Sequence, residues 1–103
     1  MKTTRLLVAS LALAAGGAFA ATPHEIETKA GCLACHSTDK KIVGPAYKDV
    51  AAKYKGQNVT AKLMEKVRKG GSGVWGPIPM PPNPPEKISD ADLKVVIEAI
   101  LKS

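Results

Sequence analysis

The chain has 103 residues, enough for one small domain but not for several. Its formal net charge is +6, with 23% charged and 45% hydrophobic residues. Aromatic residues make up only 4% of the chain, so few side chains are available to stack on bases. Binding to nucleic acid is therefore not expected, although the chain is basic.

The first twenty residues have the features of a secretory signal peptide. Lys2 and Arg5 form a basic start, an almost wholly apolar run extends over residues 6–19, and residues 18–20 (Ala-Phe-Ala) fit the small-x-small cleavage pattern. The apolar run falls short of the ~20 residues needed to cross a bilayer. We therefore expect residues 1–20 to be removed on export to the periplasm, leaving a domain of residues 21–103 without a membrane anchor.

The mature chain opens with a predicted helix. Thr22 is a suitable N-cap and Pro23 a suitable first helical residue. Ile26, Ala30 and Leu33 then fall on one helical face. This helix is predicted to lead directly into the most informative motif of the chain.

That motif is Cys-Leu-Ala-Cys-His at residues 32–36. Two cysteines three positions apart, followed at once by histidine, form the attachment pattern of a c-type haem. Each thiol can form a thioether with one vinyl group of the porphyrin, and His36 can bind the iron through an imidazole nitrogen. The pattern predicts one covalently bound haem c, attached through Cys32 and Cys35, with His36 as an iron ligand.

Three other uses of these residues remain open from the motif alone. A redox dithiol usually lies in a strand-helix-strand context, and no strand pattern is present here. A structural zinc site needs four ligands, and besides Cys32, Cys35 and His36 the chain offers only His24 as a further Cys or His. A disulfide would close a very small, strained loop.

Three further helices are predicted. The second begins at Pro45 and ends at Gly56, and the third begins near residues 58–60 and ends at the glycine pair 70–71. The fourth begins after Ser89 as N-cap. Its buried face is predicted to contain Leu93, Val96, Ile97, Ile100 and Leu101.

Residues 70–85 hold four glycines and six prolines, and no regular helix or strand is expected there. Met80 lies among prolines that fix the backbone, so a stiff loop presents a thioether, as an axial iron ligand requires. Met64, at helical spacing, is expected to pack in the core. His24 is a possible second histidine ligand but lies on the same short element as His36, so a surface position is expected.

The chain resembles the small class I bacterial cytochromes c of the c-551/c-552 type. The resemblance rests on residues 32–36, on residues 42–51 (Ile-Val-Gly-Pro-Ala-Tyr-Lys-Asp-Val-Ala) and on residues 73–83 (Gly-Val-Trp-Gly-Pro-Ile-Pro-Met-Pro-Pro-Asn). It implies an all-α fold of about four helices wrapped around one covalent haem. It also implies that His36 and Met80 are the axial ligands of the iron.

The resemblance carries three further expectations about the site. The Pro45 carbonyl would accept a hydrogen bond from His36, Trp75 would lie near a haem propionate, and Asn83 would hydrogen-bond near the Met80 sulfur. Family members often place an arginine before the glycine-rich loop to hold a propionate. This chain has Lys66 there, with Arg68 close by.

An iron bound by His36 and Met80 has no open coordination position, which favours a one-electron carrier over an enzyme. The alternative is a small peroxidase-like haem enzyme or a gas sensor with a labile sixth ligand. By resemblance, the partners of a monomeric carrier would be a cytochrome bc complex as donor and a nitrite reductase, terminal oxidase or cytochrome c peroxidase as acceptor. Residues 40–69 hold nine basic side chains against Asp49 and Glu65, a possible surface for transient docking.

Overall fold

All four predicted helices are present in the computed structural model, which describes residues 21–103; the predicted signal peptide, residues 1–20, lies outside the described residues. The helices are α1 (Pro23–Ala30), α2 (Tyr47–Lys53), α3 (Thr60–Lys69) and α4 (Asp90–Leu101). A short 3-10 helix covers Cys32–Ala34, and a small hairpin links α3 to α4. None of the helices between residues 21 and 103 has the length and apolar character needed to cross a membrane.

The ends of α1 follow from its sequence as predicted. The hydroxyl of Thr22 accepts a hydrogen bond from the backbone N–H of Glu25 at 3.2 Å, and Pro23 is the first helical residue. At the other end Gly31 adopts the left-handed conformation, with φ of 81°, and its N–H bonds back to the last turn. This turn redirects the chain into the 3-10 helix that begins at Cys32.

Helix α4 is the central packing element, because it contacts α1, α2 and α3. Ser89 caps it as predicted, accepting a hydrogen bond from the Asp92 N–H at 3.1 Å. Leu93 is only 1% exposed. The buried core cluster consists of Ile26, Ala30, Tyr47, Ile88, Leu93, Val96, Ile97 and Ile100.

Helix α2 begins later than predicted. Ala46 is its N-cap with extended backbone, so Pro45 lies before the helix instead of at its first position. The helix ends at Lys53, and Gly56, with φ of 77°, turns the chain towards α3. The helix α3 begins at Thr60 and ends before Gly70, as predicted.

The expectation of no strand within residues 70–85 is wrong. Strands β1 (Gly71–Gly73) and β2 (Gly76–Met80) pair antiparallel, with Gly71 opposite Met80 and Gly73 opposite Gly76. A two-stranded hairpin leaves one edge of each strand unpaired, so every second residue needs no N–H for the ladder. Pro77 and Pro79 occupy such alternate positions, and the glycines provide the positive φ angles of the tight connection.

Among residues 21–103, one acidic side chain lies in the buried core. Glu27 on α1 is only 7% exposed. Burial raises the pKa of its carboxyl, while His24 acts in the opposite direction. The folded chain therefore binds a proton at this site more readily than the unfolded chain does.

We expect Glu27→Gln to stabilise the protein at neutral pH. A carboxyl with a raised pKa contributes stability below the unfolded pKa and loses it as pH rises through the folded pKa. The gain from the glutamine variant should therefore shrink as pH falls through that window. Urea unfolding of the haem-loaded protein between pH 4 and 8 measures this.

Glu25→Gln is the matched control for Glu27→Gln, since Glu25 is exposed in the first turn of the same helix. A carboxylate near a helix N-terminus is favourable, so removing it should slightly lower stability at pH 7. A gain of equal size from both variants would show that burial of Glu27 is not the cause.

Candidate haem-binding site

One cavity within the described residues collects the side chains that the sequence singled out. Cys32, Cys35, His36 and Met80 all line it, together with Trp75. Its volume is about 230 Å³. Most of the remaining wall is apolar and comes from α2, α3, α4 and the hairpin, as in Val50, Leu63, Val67, Leu93, Val96 and Ile97.

Backbone hydrogen bonds hold the cysteine motif in a compact turn beside this cavity. The N–H groups of Cys35 and His36 both donate to the Cys32 carbonyl, at 3.2 and 3.0 Å. The Cys35 carbonyl in turn accepts from the N–H groups of Val43 and Gly44, at 3.2 and 2.8 Å. The two thiols and the imidazole are therefore held on one short, internally bonded segment, which is the spacing that the two vinyl groups of a haem require.

The ring of His36 is oriented by a hydrogen bond to the backbone. Its Nδ1 donates a hydrogen bond to the Pro45 carbonyl at 2.8 Å, as the resemblance implied. With the proton on Nδ1, the lone pair of Nε2 is available to bind a metal. Pro45 lies before α2 and not within it, and in this position its carbonyl faces the His36 ring.

Two neighbours pack directly against the His36 ring. Tyr47 stacks on it, with ring centroids 5.4 Å apart and planes inclined by 19°. A Cβ atom added at Gly44 would lie 2.9 Å from both ring nitrogens, so only glycine fits there. No contact between Tyr47 and His36 was predicted from the sequence, and the nearness of Tyr47 to the Gly44-Pro45 pair was the available signal.

Tyr47 itself is buried and stays a neutral phenol. Burial raises the pKa of its hydroxyl well above the usual range, and Glu27 acts in the same direction. An uncharged, fixed ring beside His36 limits the rotation of the imidazole.

The two methionines are placed differently. Met80 is half-buried and lines the cavity. Met64 packs against the hydrophobic core and is not part of the cavity wall. Met80, which the sequence predicted as the iron ligand, is thus the one methionine of residues 21–103 that lines the cavity.

Asn83 does not make the contact that the resemblance implied. Its side-chain nitrogen donates to the carbonyls of Val67 and Pro81, at 3.2 and 3.0 Å. An amide NH₂ group has two hydrogens, and both are used, so none is left for the sulfur of Met80. Asn83 instead ties the loop after Met80 to the end of α3.

The basic residues near the glycine-rich loop have separate positions. Lys66 lines the cavity, as Trp75 does, whereas Arg68 does not. The Lys53 ammonium lies 5.5 Å from the centroid of the Trp75 ring, a cation–π contact that holds the indole against α2. Of Lys66 and Arg68, only Lys66 therefore lies where it could contact a haem propionate.

The alternatives to haem fit the site less well. Burial raises the pKa of the Cys32 thiol, and Glu27 adds to this, whereas a redox dithiol needs a lowered pKa. Among residues 21–103 no three or more His, Cys, Asp or Glu side chains are grouped to hold a metal ion. His24 is exposed and lies outside the cavity wall. Two thiols, an imidazole and a thioether around an apolar cavity match the needs of a covalent haem.

Comparisons with known proteins agree with this geometry. Residues 20–102 match the family model of cytochrome c. The chain is 56% identical to cytochrome c2 of Rubrivivax gelatinosus over 84 residues, which are 81% of this chain and 99% of that protein. It is 47% identical to cytochrome c-551 of Pseudomonas aeruginosa over 96 residues, covering 92% of this chain and 89% of that protein.

A solved structure shows the same fold. The crystal structure of wild-type Nitrosomonas europaea cytochrome c552 matches with a TM-score of 0.70 and 46% identity, covering 77% of this chain and 96% of that one. The fold expected from the sequence is thereby confirmed, with the addition of the small hairpin. The chain belongs to the cytochrome c family, as a small class I c-type cytochrome with one covalently bound haem c.

Proposed function

We propose that this cytochrome is a periplasmic one-electron carrier whose iron is bound by His36 and Met80. The observation that carries the proposal is that these two side chains line the cavity shared with Cys32 and Cys35. Haem c, when bound, supplies a one-electron Fe(II)/Fe(III) couple. The residues of the chain attach the ring, fix the two axial donors and exclude water.

His36 and Met80 divide the work of ligation. His36 presents Nε2, because Nδ1 is held by the Pro45 carbonyl. Met80 supplies a neutral, soft sulfur, which favours the reduced iron and raises the potential. The apolar cavity acts in the same direction, since it disfavours the extra positive charge of the ferric state.

The cavity wall favours a carrier over a peroxidase-like enzyme. In the described part of the chain, the wall contains no second histidine, no arginine and no carboxylate beside His36. Asn83, a polar side chain near Met80, already donates both amide hydrogens to carbonyls. Apart from His36, the described wall thus offers no histidine, arginine or carboxylate to move protons to and from a bound peroxide.

The surface around the cavity supports brief docking to redox proteins. Val43, Val74 and Ile78 line the cavity and are each more than 40% exposed. The same part of the chain carries exposed lysines in the loop before α2, in α2 and the turn after it, and in α3: Lys40, Lys41, Lys48, Lys53, Lys55, Lys62 and Lys69. A small apolar contact on a chain with many exposed lysines suits a transient partner with an acidic face.

We also propose that residues 1–20 direct export and are removed. The family match supports this boundary, because it begins at residue 20. The haem-bearing domain would then be residues 21–103, with a formal charge of +4 once Lys2 and Arg5 are lost.

Replacing Met80 is the direct test of the ligand set. In the ferric protein, methionine bound to iron gives a weak red absorption band, and we expect Met80→Ala to abolish it and to lower the reduction potential. Met64→Ala is the matched control, since Met64 lies outside the cavity wall, and it should keep the band and the potential. The measurements are the visible spectrum and a redox titration.

Two outcomes would contradict the proposal. A wild-type spectrum without the red band would mean that Met80 is not the ligand. Rapid binding of carbon monoxide to the reduced wild-type protein at neutral pH would mean that the sixth position is open, which would favour the enzyme or sensor.

A further inference from the structure

Arg68 is a largely buried cation that does not face the haem cavity. It lies on α3, and its side chain is 18% exposed. One terminal nitrogen donates to the carbonyls of Asn83 and Ile88, at 3.1 and 2.6 Å. The other donates to the exposed carboxylate of Asp90 at 2.6 Å. The guanidinium therefore joins α3 to the loop after β2 and to the start of α4.

Asn83 is attached to the same end of α3 through its own donors. Its backbone N–H donates to the carbonyls of Val67 and Arg68, at 3.1 and 3.2 Å, and its side chain also donates to Val67. Asn83 is only 5% exposed, so its carbonyl needs a protein partner, and Arg68 supplies one. We call this set of contacts between Arg68, Asn83 and Ile88 the Arg68 bridge.

Asn83, which belongs to the Arg68 bridge, lies three residues after Met80 in the chain. Only Pro81 and Pro82 separate Met80 from Asn83, and each proline fixes its backbone φ. A displacement of Asn83 is therefore passed to Met80 with little absorbed between them. On its other side Met80 pairs with Gly71, which follows α3 after Gly70.

We infer that Arg68 is a positioning residue for Met80, which it keeps on the iron by holding the Asn83 and Ile88 carbonyls against α3. The inference rests on the proposed function, because it takes Met80 as an axial ligand. Arginine suits this task since its planar fork offers several donors in a fixed geometry. A weaker bridge would let the loop open more often and expose the iron to an external ligand.

Displacement of Met80 by potassium cyanide in the ferric haem-loaded protein tests the inference. Loss of the red methionine band reports the rate directly. Arg68→Met removes the donors while keeping a long side chain, and we expect displacement to be roughly tenfold faster or more, since charged hydrogen bonds to buried carbonyls are lost. Asp90→Asn should stay near the wild-type rate, because both carbonyl bonds remain.

A stability-matched variant separates positioning from a general effect on folding. Ile26→Val thins the core at α1, away from the Met80 loop, and should lower the urea midpoint without changing the rate of cyanide binding in the absence of urea. If Arg68→Met accelerated displacement no more than a core variant of equal stability, the inference would be overturned.

Arg68→Lys keeps the charge but replaces the fork by a single ammonium. We expect it to raise the displacement rate by roughly threefold or more, less than Arg68→Met, because one ammonium does not reproduce the paired contacts. Should Arg68→Met not accumulate, this variant decides alone, and a wild-type rate in it would contradict the inference.

The same experiment distinguishes the two proposals. A wild-type protein without the methionine band removes both the ligand assignment and the role of Arg68. A wild-type protein with the band, together with a wild-type displacement rate in Arg68→Met, removes only the role of Arg68.

Discussion

Gly44→Ala is expected to displace the ring of His36 and to disrupt the iron site. The added methyl group would lie 2.9 Å from both ring nitrogens. The ring has little room to retreat, because Nδ1 is bonded to Pro45 and Tyr47 stacks on it. Overpacking of this kind costs about 1–3 kcal/mol, which we expect as a lower urea midpoint in the haem-loaded protein.

The spectrum of the Gly44→Ala variant should change as well as its stability. A strained or lost bond to His36 converts low-spin haem to a high-spin form, which the visible spectrum detects. Gly56→Ala is the control, since nothing lies within 4 Å of an added Cβ there and only the positive φ is unfavourable. It should lose stability but keep a low-spin spectrum. A low-spin Gly44→Ala protein with the wild-type urea midpoint would show that the ring has room to move.

Local signals in the sequence were sufficient for three of the four helices, whereas α2 begins two residues later than predicted. A cap is a contact over three residues, so Thr22 and Ser89 could be assigned from their own neighbourhood, and both make the expected bonds. Gly70 was likewise predicted from its own neighbourhood to end α3, and the helix does end before it. The haem motif is equally local, which is why Cys32 and His36 could be identified without a fold.

The features that the sequence did not predict depend on contacts that form only when the chain folds back on itself. Pro77 was taken as a strand breaker, yet it is compatible with a hairpin whose outer edge is unpaired. The amide of Asn83 was assigned to a sulfur three residues away, but carbonyls sixteen and two residues away take its hydrogens. Arg68 and Tyr47 similarly gain their roles only when the chain folds back on itself.

We expect Gly70→Ala to disrupt the site more strongly than Gly44→Ala, and to act on the Met80 side of the cavity. Gly70 has φ of 68° and ψ of −154°, a region that only glycine readily occupies. An added Cβ would also collide with the carbonyl oxygen of Met80 and lie 2.9 Å from backbone atoms of Pro81 and Pro82. These are main-chain atoms in a stiff segment, so relief requires the whole Met80 loop to shift.

We therefore expect Gly70→Ala to lose about 3 kcal/mol of stability and the red methionine band together. Gly73→Ala separates the two causes, because its φ of 118° is also unfavourable but nothing lies within 4 Å of an added Cβ. It should be destabilised by the backbone alone and should keep the band. If Gly70→Ala retained the band at wild-type intensity, close contact between the end of α3 and Met80 could not be what holds the thioether in place, and the support for Met80 from this side of the loop would be lost.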